Sequence, residues 1–547
     1  MANIIITLNN DKKMEFKKGI TLGEIIKEIG NDDIICGMSE GRIVNYNDCF
    51  NKNTKLYLYD VNTKQGNKIY EKGLLLLFEV CTKEILGKDV NVIVRFSIDK
   101  GVFCEVDRPI SKDELSLIKR KMKEKVADKI PFEKLETTRI EAIEYFKRLK
   151  RMDKVKTLSF DTSSYVKLYR FEDYYEYILG DLPVDSSILK YFDLSLIENK
   201  GVVVRFPSVY DDKKIIKYTH HNNYFNSLID YTSWGNILGI NNLGELNEKI
   251  INNNAGEIVN LSEIMQDYKL LSIAERIVLD KENIKIVLLS GPSSSGKTTT
   301  ARKLSLYLKT LGLNPIAVSI DDYFVNREDT PLDENGNYDF ECLGAVDLKL
   351  FDSQIAKLLK GSEVVTPTFD FVSGVKVFNK TMKLGKNDIL VIEGLHALND
   401  RVLDNIPRKN KFKIYVSPLT YLNIDNDNRI SMTDIRLLRR MVRDNRTRGY
   451  KPEVTLKNWH SVRRGEEKWV FPYQDEADVL FNSSLSYELG ALKTYVEPLL
   501  FSVKETDPEY QTAIRLLELL RFVLPVPTDD IPKISILREF IGGGYFE

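Results

Sequence analysis

The chain has 547 residues, enough for roughly three or four domains, and its 43% apolar, 10% aromatic and 29% charged composition is that of a folded globular protein rather than a disordered one. Lys plus Arg (79) almost cancels Asp plus Glu (80), so the chain lacks the basic excess of a polyanion-coating protein, and any nucleic-acid contact must come from a local patch. Five scattered cysteines without a CxxC pair argue against a zinc ribbon or disulfide framework, and no segment approaches the roughly 18 apolar residues that span a bilayer, so a reduced, cytoplasmic protein with no membrane partner is expected.

Residues 1–62 read as a small α+β unit. Asn3–Leu8 is β-rich, and Lys13–Phe16 can return as a hairpin. Thr21-Leu22-Gly23-Glu24 has capping-box spacing, followed by the helical stripe Leu22, Ile25, Ile26 and Ile29 and by a stop at Gly30. Leu56–Tyr59 supplies a closing strand. The polar run Thr63-Lys64-Gln65-Gly66-Asn67-Lys68 reads as a linker. Residues 65–225 then mix helix and strand: Val90, Val92, Val94 and Phe96 alternate as one strand face, Glu114–Glu124 is helical, and Gly201–Phe206 is a buried strand. Residues 226–280 read as a helical connector, 281–505 as the next domain and 506–547 as a C-terminal tail. Within that tail, Ile534–Phe546 reads as either a docking segment or a frayed end.

The sharpest motif is Gly291-Pro292-Ser293-Ser294-Ser295-Gly296-Lys297-Thr298, a complete G-x-x-x-x-G-K-[ST] loop. The apolar run Ile284–Leu289 leads into it. The helical stripe Ala301, Leu304, Leu308 and Leu311 follows it and closes at Gly312. Strand, loop and helix in this order let backbone N–H groups converge on phosphate oxygens, so Gly291, Ser293, Ser294, Ser295, Gly296, Lys297, Thr298 and Thr299 are expected to bind ATP. Lys297 reaches the β- and γ-phosphates, and the Thr298 hydroxyl ligates magnesium. Two further strands end in carboxylates, Ile316–Ile320 at Asp321-Asp322 and Ile389–Ile392 at Glu393. One carboxylate can take the proton of an acceptor hydroxyl while the other holds Mg2+. An arginine-rich helix follows, with Arg436, Arg440 and Arg443 on one face and Arg448 at its end. It can be a solvated surface, an RNA-binding face or a lid over a transferring phosphoryl group.

These residues together resemble the uridine kinase/phosphoribulokinase family of P-loop kinases over 284–500. The blocks that carry the resemblance are the P-loop, Ser319-Ile320-Asp321-Asp322-Tyr323, Phe340-Glu341 with Ala345-Val346-Asp347, Pro367-Thr368-Phe369-Asp370-Phe371-Val372-Ser373, Val391-Ile392-Glu393-Gly394 and the arginine helix. The resemblance implies a parallel-sheet α/β fold with Asp321 as catalytic base, Thr298 and Glu393 associated with magnesium, and Arg440, Arg443 and Arg448 on phosphate. Lys297, Arg440 and Arg443 join Asp321 as expected catalytic residues. Phe369, Phe371 and Asn458 are the expected substrate contacts. The pattern departs from the family where uridine kinases place a base-reading Tyr and His, here Phe369 and Gly374. The ribose-binding Asp position falls at Gly344, and the Arg expected after Gly449 is Tyr450. Phosphoryl transfer carries over from the resemblance, and uridine specificity does not.

Residues 1–62 are similar to the TGS domain, a β-grasp module, on the Phe16–Gly19 turn, the capped helix and the Tyr57–Tyr59 end. Residues 65–225 resemble the α+β second additional (editing) domain of threonyl-tRNA synthetases, on Leu179–Val184 and Ile188–Leu194. The histidines and cysteine of that family's metal site are missing near Tyr70–Leu77 and Gly180–Val184, so this half is expected to bind, sense or scaffold rather than to edit. The expected function is Mg-ATP-dependent phosphorylation of a hydroxyl on a nucleoside-like small molecule. The alternative is a regulatory NTPase that contacts RNA through residues 1–225 and uses ATP as a switch. An oligomer is compatible with either.

Overall fold

The computed structural model describes the whole chain except Met1, Ala2, Asn10, Gly41, Asn45, His221, Glu334, Asn335, Phe371 and Val372. Phe371 and Val372, in one of the expected substrate blocks, thus lie outside the described residues. Near the N-terminus a five-stranded sheet runs in the order Lys13–Lys17, Asn3–Leu8, Thr54–Tyr59, Cys36–Ser39, Arg42–Val44. The helix Leu22–Ile29 packs on it through Leu22, Ile25 and Ile26. Its capping box between Thr21 and Glu24 is formed, and Gly30 ends it at φ +72°.

The expected linker is instead the start of a 23-residue helix, Lys64–Leu86, whose first turn is capped by the Thr63 side chain accepting from Gly66 N. Composition misled here: the polar first turn leads directly into Ile69, Tyr70 and Leu74–Cys81, which are buried against a four-stranded antiparallel sheet. In that sheet the strand Val92–Ile98 alternates as expected. A register shift between Val94 and Phe96 then turns the strand over. Val92 and Val94 join the helix core. Phe96, Ile98 and Phe103 face the other way, onto Phe225, Leu228 and Tyr231 of the helix Asn222–Leu238. That helix reaches the C-terminal half, where the Tyr231 hydroxyl accepts from Asn482 N at 3.1 Å.

The C-terminal half is built on a parallel sheet of β1 (Ile286–Ser290), β2 (Asn314–Ser319), β3 (Asp388–Glu393), β4 (Lys411–Ser417) and β5 (Val479–Asn482), in the order β2-β3-β1-β4-β5. Every residue of β1 is buried, as a central strand covered on both faces requires. Val287 and Leu289 face α1 (Lys297–Thr310) and the helix Ala255–Leu279, while Ile286 and Leu288 face α2 (Leu348–Leu359). Among the described residues no helix is long and apolar enough to cross a membrane.

A buried ionic cluster ties the two halves together. Lys154 Nζ lies 3.0 Å from Asp425 and 2.7 Å from Asp427, and Arg151 meets Asp427 at 2.5 Å. Nearby, Asn423 Nδ2 donates to Val94 O and Val94 N donates to Asn426 O. The last segment is not frayed. The helix Tyr510–Arg521 packs into the same core as Leu537, Phe540 and Ile541, next to the arginine-rich helix α3 (Met432–Arg448).

Candidate active site

The P-loop follows β1, and two of its residues must be glycine. A Cβ on Gly291 would come within 1.9 Å of Val416 O on the neighbouring strand. Gly296 sits at φ +84° and starts α1 without a side-chain cap. Lys297 Nζ donates to Gly291 O at 2.9 Å and Pro292 O at 3.3 Å. The hydroxyls of Ser294 and Ser295 are buried without a hydrogen-bond partner among the described residues, a cradle with spare donors suited to phosphate oxygens.

The two expected carboxylates come from the ends of β2 and β3. Glu393 Oε1 accepts from Thr298 Oγ1 at 3.3 Å and from Ser319 Oγ at 3.2 Å. Ser319 Oγ in turn accepts from Asp321 N at 3.3 Å, which fixes the short turn Ile320–Tyr323. Burial raises the Asp321 pKa; Lys297 and Arg448 oppose the rise and Asp322 adds to it. Burial, then the Asp321 charge, push Glu393 up to about 7 against the pull of Lys297. A hydroxyl and a carboxylate with neighbouring oxygen groups are hard donors, the chemistry that magnesium selects.

Arginine roles divide differently from the helical-face expectation. Arg440 Nη1 donates to Ser293 Oγ at 2.7 Å, so this side chain touches the loop. Arg436 is buried and bidentate on Glu466 of α4 (Pro452–Trp469), at 2.5 and 2.9 Å. Arg443 and Arg448 pair with the buried Asp444, at 2.8 and 3.4 Å. Phe369 is buried, edge-on to Phe324, and its N–H donates to Asp322 Oδ1 at 3.4 Å. Asn458 is exposed on α4, two turns before Glu466, and makes no polar contact with the other site residues among the described residues.

Three site residues were not assigned a role from sequence. Glu466 Oε1 accepts from Ser293 N at 2.8 Å, so the Arg436–Glu466 pair props the loop from behind. Burial opposes ionisation of Glu466, but Arg436 and Arg463 outweigh it and hold its pKa below the usual carboxylate value. Replacing Glu466 with alanine leaves Arg436 buried and unpaired, and is expected to destabilise this unit by about 3–5 kcal/mol, read as a lowered unfolding midpoint. Glu341, next to Phe340, is pushed up to about 7 by burial against the pull of Arg440. Glu539, more than two hundred residues downstream, accepts from Thr299 Oγ1 at 2.7 Å. Spacing along the chain carries no trace of the Glu466 and Glu539 contacts.

Residues 286–488 match the model of the Phosphoribulokinase / Uridine kinase family. The uridine kinase of Mycoplasma genitalium is 30% identical over 184 residues, 34% of this chain and 77% of that protein. The uridine kinase of Deinococcus deserti is 28% identical over 197 residues, 36% of this chain and 86% of its own. Among solved structures, the D-glycerate 3-kinase of Cryptococcus neoformans matches with a TM-score of 0.22 at 16% identity, over 49% of this chain and 89% of that one.

Proposed function

The chain belongs, through residues 286–488, to the phosphoribulokinase/uridine kinase family, and from that premise we propose that it is an ATP-dependent kinase for a hydroxyl group of a nucleoside or similar sugar-bearing small molecule. The observation that carries this reading is the meeting of Lys297, Thr298, Asp321 and Glu393 at the ends of three neighbouring parallel strands. When bound, ATP supplies the phosphoryl group and magnesium offsets its charge.

In this reading the P-loop amides and the Ser294 and Ser295 hydroxyls hold phosphate oxygens, Lys297 places a cation at the phosphate chain, and Thr298 and Glu393 hold the metal. Asp321 takes the acceptor proton. Its raised pKa makes it a stronger base than an exposed aspartate. Arg440, already on the loop at Ser293, faces the charge that develops during transfer. Arg443 and Arg448 stand beside Arg440 on the shared carboxylate of Asp444. Phe369 offers an apolar face to the acceptor and no hydrogen-bonding group, so acceptor choice rests on other contacts. The test is acceptor-dependent ADP formation from Mg-ATP, lost on Lys297→Ala.

A pH prediction follows from Glu393. With its pKa pushed up to about 7, this carboxyl binds a proton that it must give up to hold a cation. Mg-ATP binding near neutral pH is therefore expected to release protons from Glu393, and to tighten as pH rises through that range. Calorimetry in buffers of different ionisation enthalpy measures this. The larger part of the buffer dependence should vanish in Glu393→Gln, and its persistence there would contradict the assignment.

A further inference from the structure

The chain beyond residue 488 lies outside the family-matched region, yet its last turn reaches the P-loop helix. Ile536, Leu537, Phe540 and Ile541 are buried, and a Cβ on Gly296 would meet Ile536 Cγ2 at 2.6 Å. This packing delivers Glu539 to the start of α1. Its Oε2 accepts from Thr299 Oγ1 at 2.7 Å and from the Thr299 backbone N–H at 3.3 Å. Helix α1 has no side-chain N-cap of its own, and its amide end carries partial positive charge. The Glu539 carboxylate thus occupies the kind of place that a phosphate group takes at a helix N-terminus.

The same segment is tied to the arginine-rich helix. Arg446 donates to the carbonyls of Glu539 and Phe540 at 3.2 Å each and pairs with Glu547 at 2.9 Å. The Arg439 guanidinium lies over the Phe540 ring at 5.0 Å. Arg302, on α1, donates to the Phe546 carbonyl. Between tail and helix there remains a cavity of about 170 Å³, lined by Thr298, Thr299, Arg302, Arg538, Glu539 and Phe546 among others. That is below the roughly 300 Å³ at which pockets begin to hold a drug-sized ligand.

We propose that the C-terminal segment 531–547 is an autoinhibitory strap. Its Glu539 competes with a nucleotide phosphate for the Thr299 amide and hydroxyl, and one contact set holds both the P-loop helix and α3. The proposal rests on the reading of the P-loop as a nucleotide site and adds a regulator to it. Whatever draws the strap away exposes the site and frees Arg446 together.

Equilibrium binding of Mg-ATP to the full-length protein tests this. Glu539→Ala removes the competing carboxylate and is expected to lower the Kd by about tenfold, the scale of one charge-assisted hydrogen bond. Arg446→Ala, which leaves the P-loop contacts intact, is expected to lower it by a smaller factor. In the native chain, saturating Mg-ATP should speed trypsin cleavage after Lys533 or Arg538. Unchanged or weaker Mg-ATP binding in both variants, with no change in cleavage, would overturn the proposal. If Glu539→Ala does not fold, Arg446→Ala and the cleavage rate decide alone. No Mg-ATP binding by the native chain or by either variant would instead sink the nucleotide reading.

Discussion

Replacing Asp321 with asparagine is expected to lower kcat by roughly 10²–10⁴-fold, the usual contribution of a general base, while Mg-ATP binding stays close to that of the native chain. The side chain stands on a turn fixed by Ser319 Oγ, at the end of a strand whose backbone pairs along its whole length with β3. Asparagine has the same shape, so the turn and its hydrogen bond from Asp321 N are kept. What is lost is the capacity to accept a proton. Burial raises the Asp321 pKa more than Lys297 and Arg448 lower it, so the native carboxylate is a better base than in water. Below that pKa the protonated acid cannot act, and the rate should fall with pH. Single-turnover phosphoryl transfer separates this effect from binding. A variant with native kcat would remove Asp321 from the mechanism.

Lys297→Ala is expected to lose transfer altogether at ordinary assay sensitivity, with kcat/KM reduced by at least roughly 10²–10³-fold. The ammonium already sits over the P-loop, bonded to Gly291 O and Pro292 O. The same cation pulls down the pKa values of Asp321 and Glu393. Its removal therefore takes away a phosphate contact and, at once, shifts both carboxyls toward their neutral forms. Lys297→Arg is expected to rescue little, because a planar fork cannot reproduce a compact point charge in this turn. The fold should survive, since Lys297 is at the surface end of α1 and the helix core is made by Ala301, Leu304 and Leu308. Far-ultraviolet circular dichroism and the melting midpoint check that separately from activity.

Much of this site was legible because its chemistry is written locally. The P-loop spans eight consecutive residues, and the strand-end carboxylates follow short apolar runs, so pattern and site coincide. The capped helix Leu22–Ile29 was legible for the same reason. The arginine-rich segment forms the expected helix, Met432–Arg448, and its pairings with neighbouring elements lie outside what the sequence shows. Its periodicity shows which residues share a face; it cannot show that Glu466 awaits Arg436 or that Asp444 gathers Arg443 and Arg448. The polar run at Thr63–Lys68 reads as a linker by composition, yet one Thr63 cap is enough to nucleate the helix that the following apolar residues then bury. The bulge after Val94 leaves the alternation of Val92–Ile98 intact while exchanging the faces, so a period count cannot detect it. Glu539 was illegible because its only meaning comes from a contact 240 residues away.

The most direct measurement is ADP formation by the purified full-length chain with Mg-ATP, against a panel of nucleosides and sugars, with Lys297→Ala and Asp321→Asn alongside. The account predicts turnover with one or a few acceptors, none in Lys297→Ala, and a rate lowered roughly 10²–10⁴-fold in Asp321→Asn. It is contradicted if no acceptor supports turnover while ATP hydrolysis rises with added RNA.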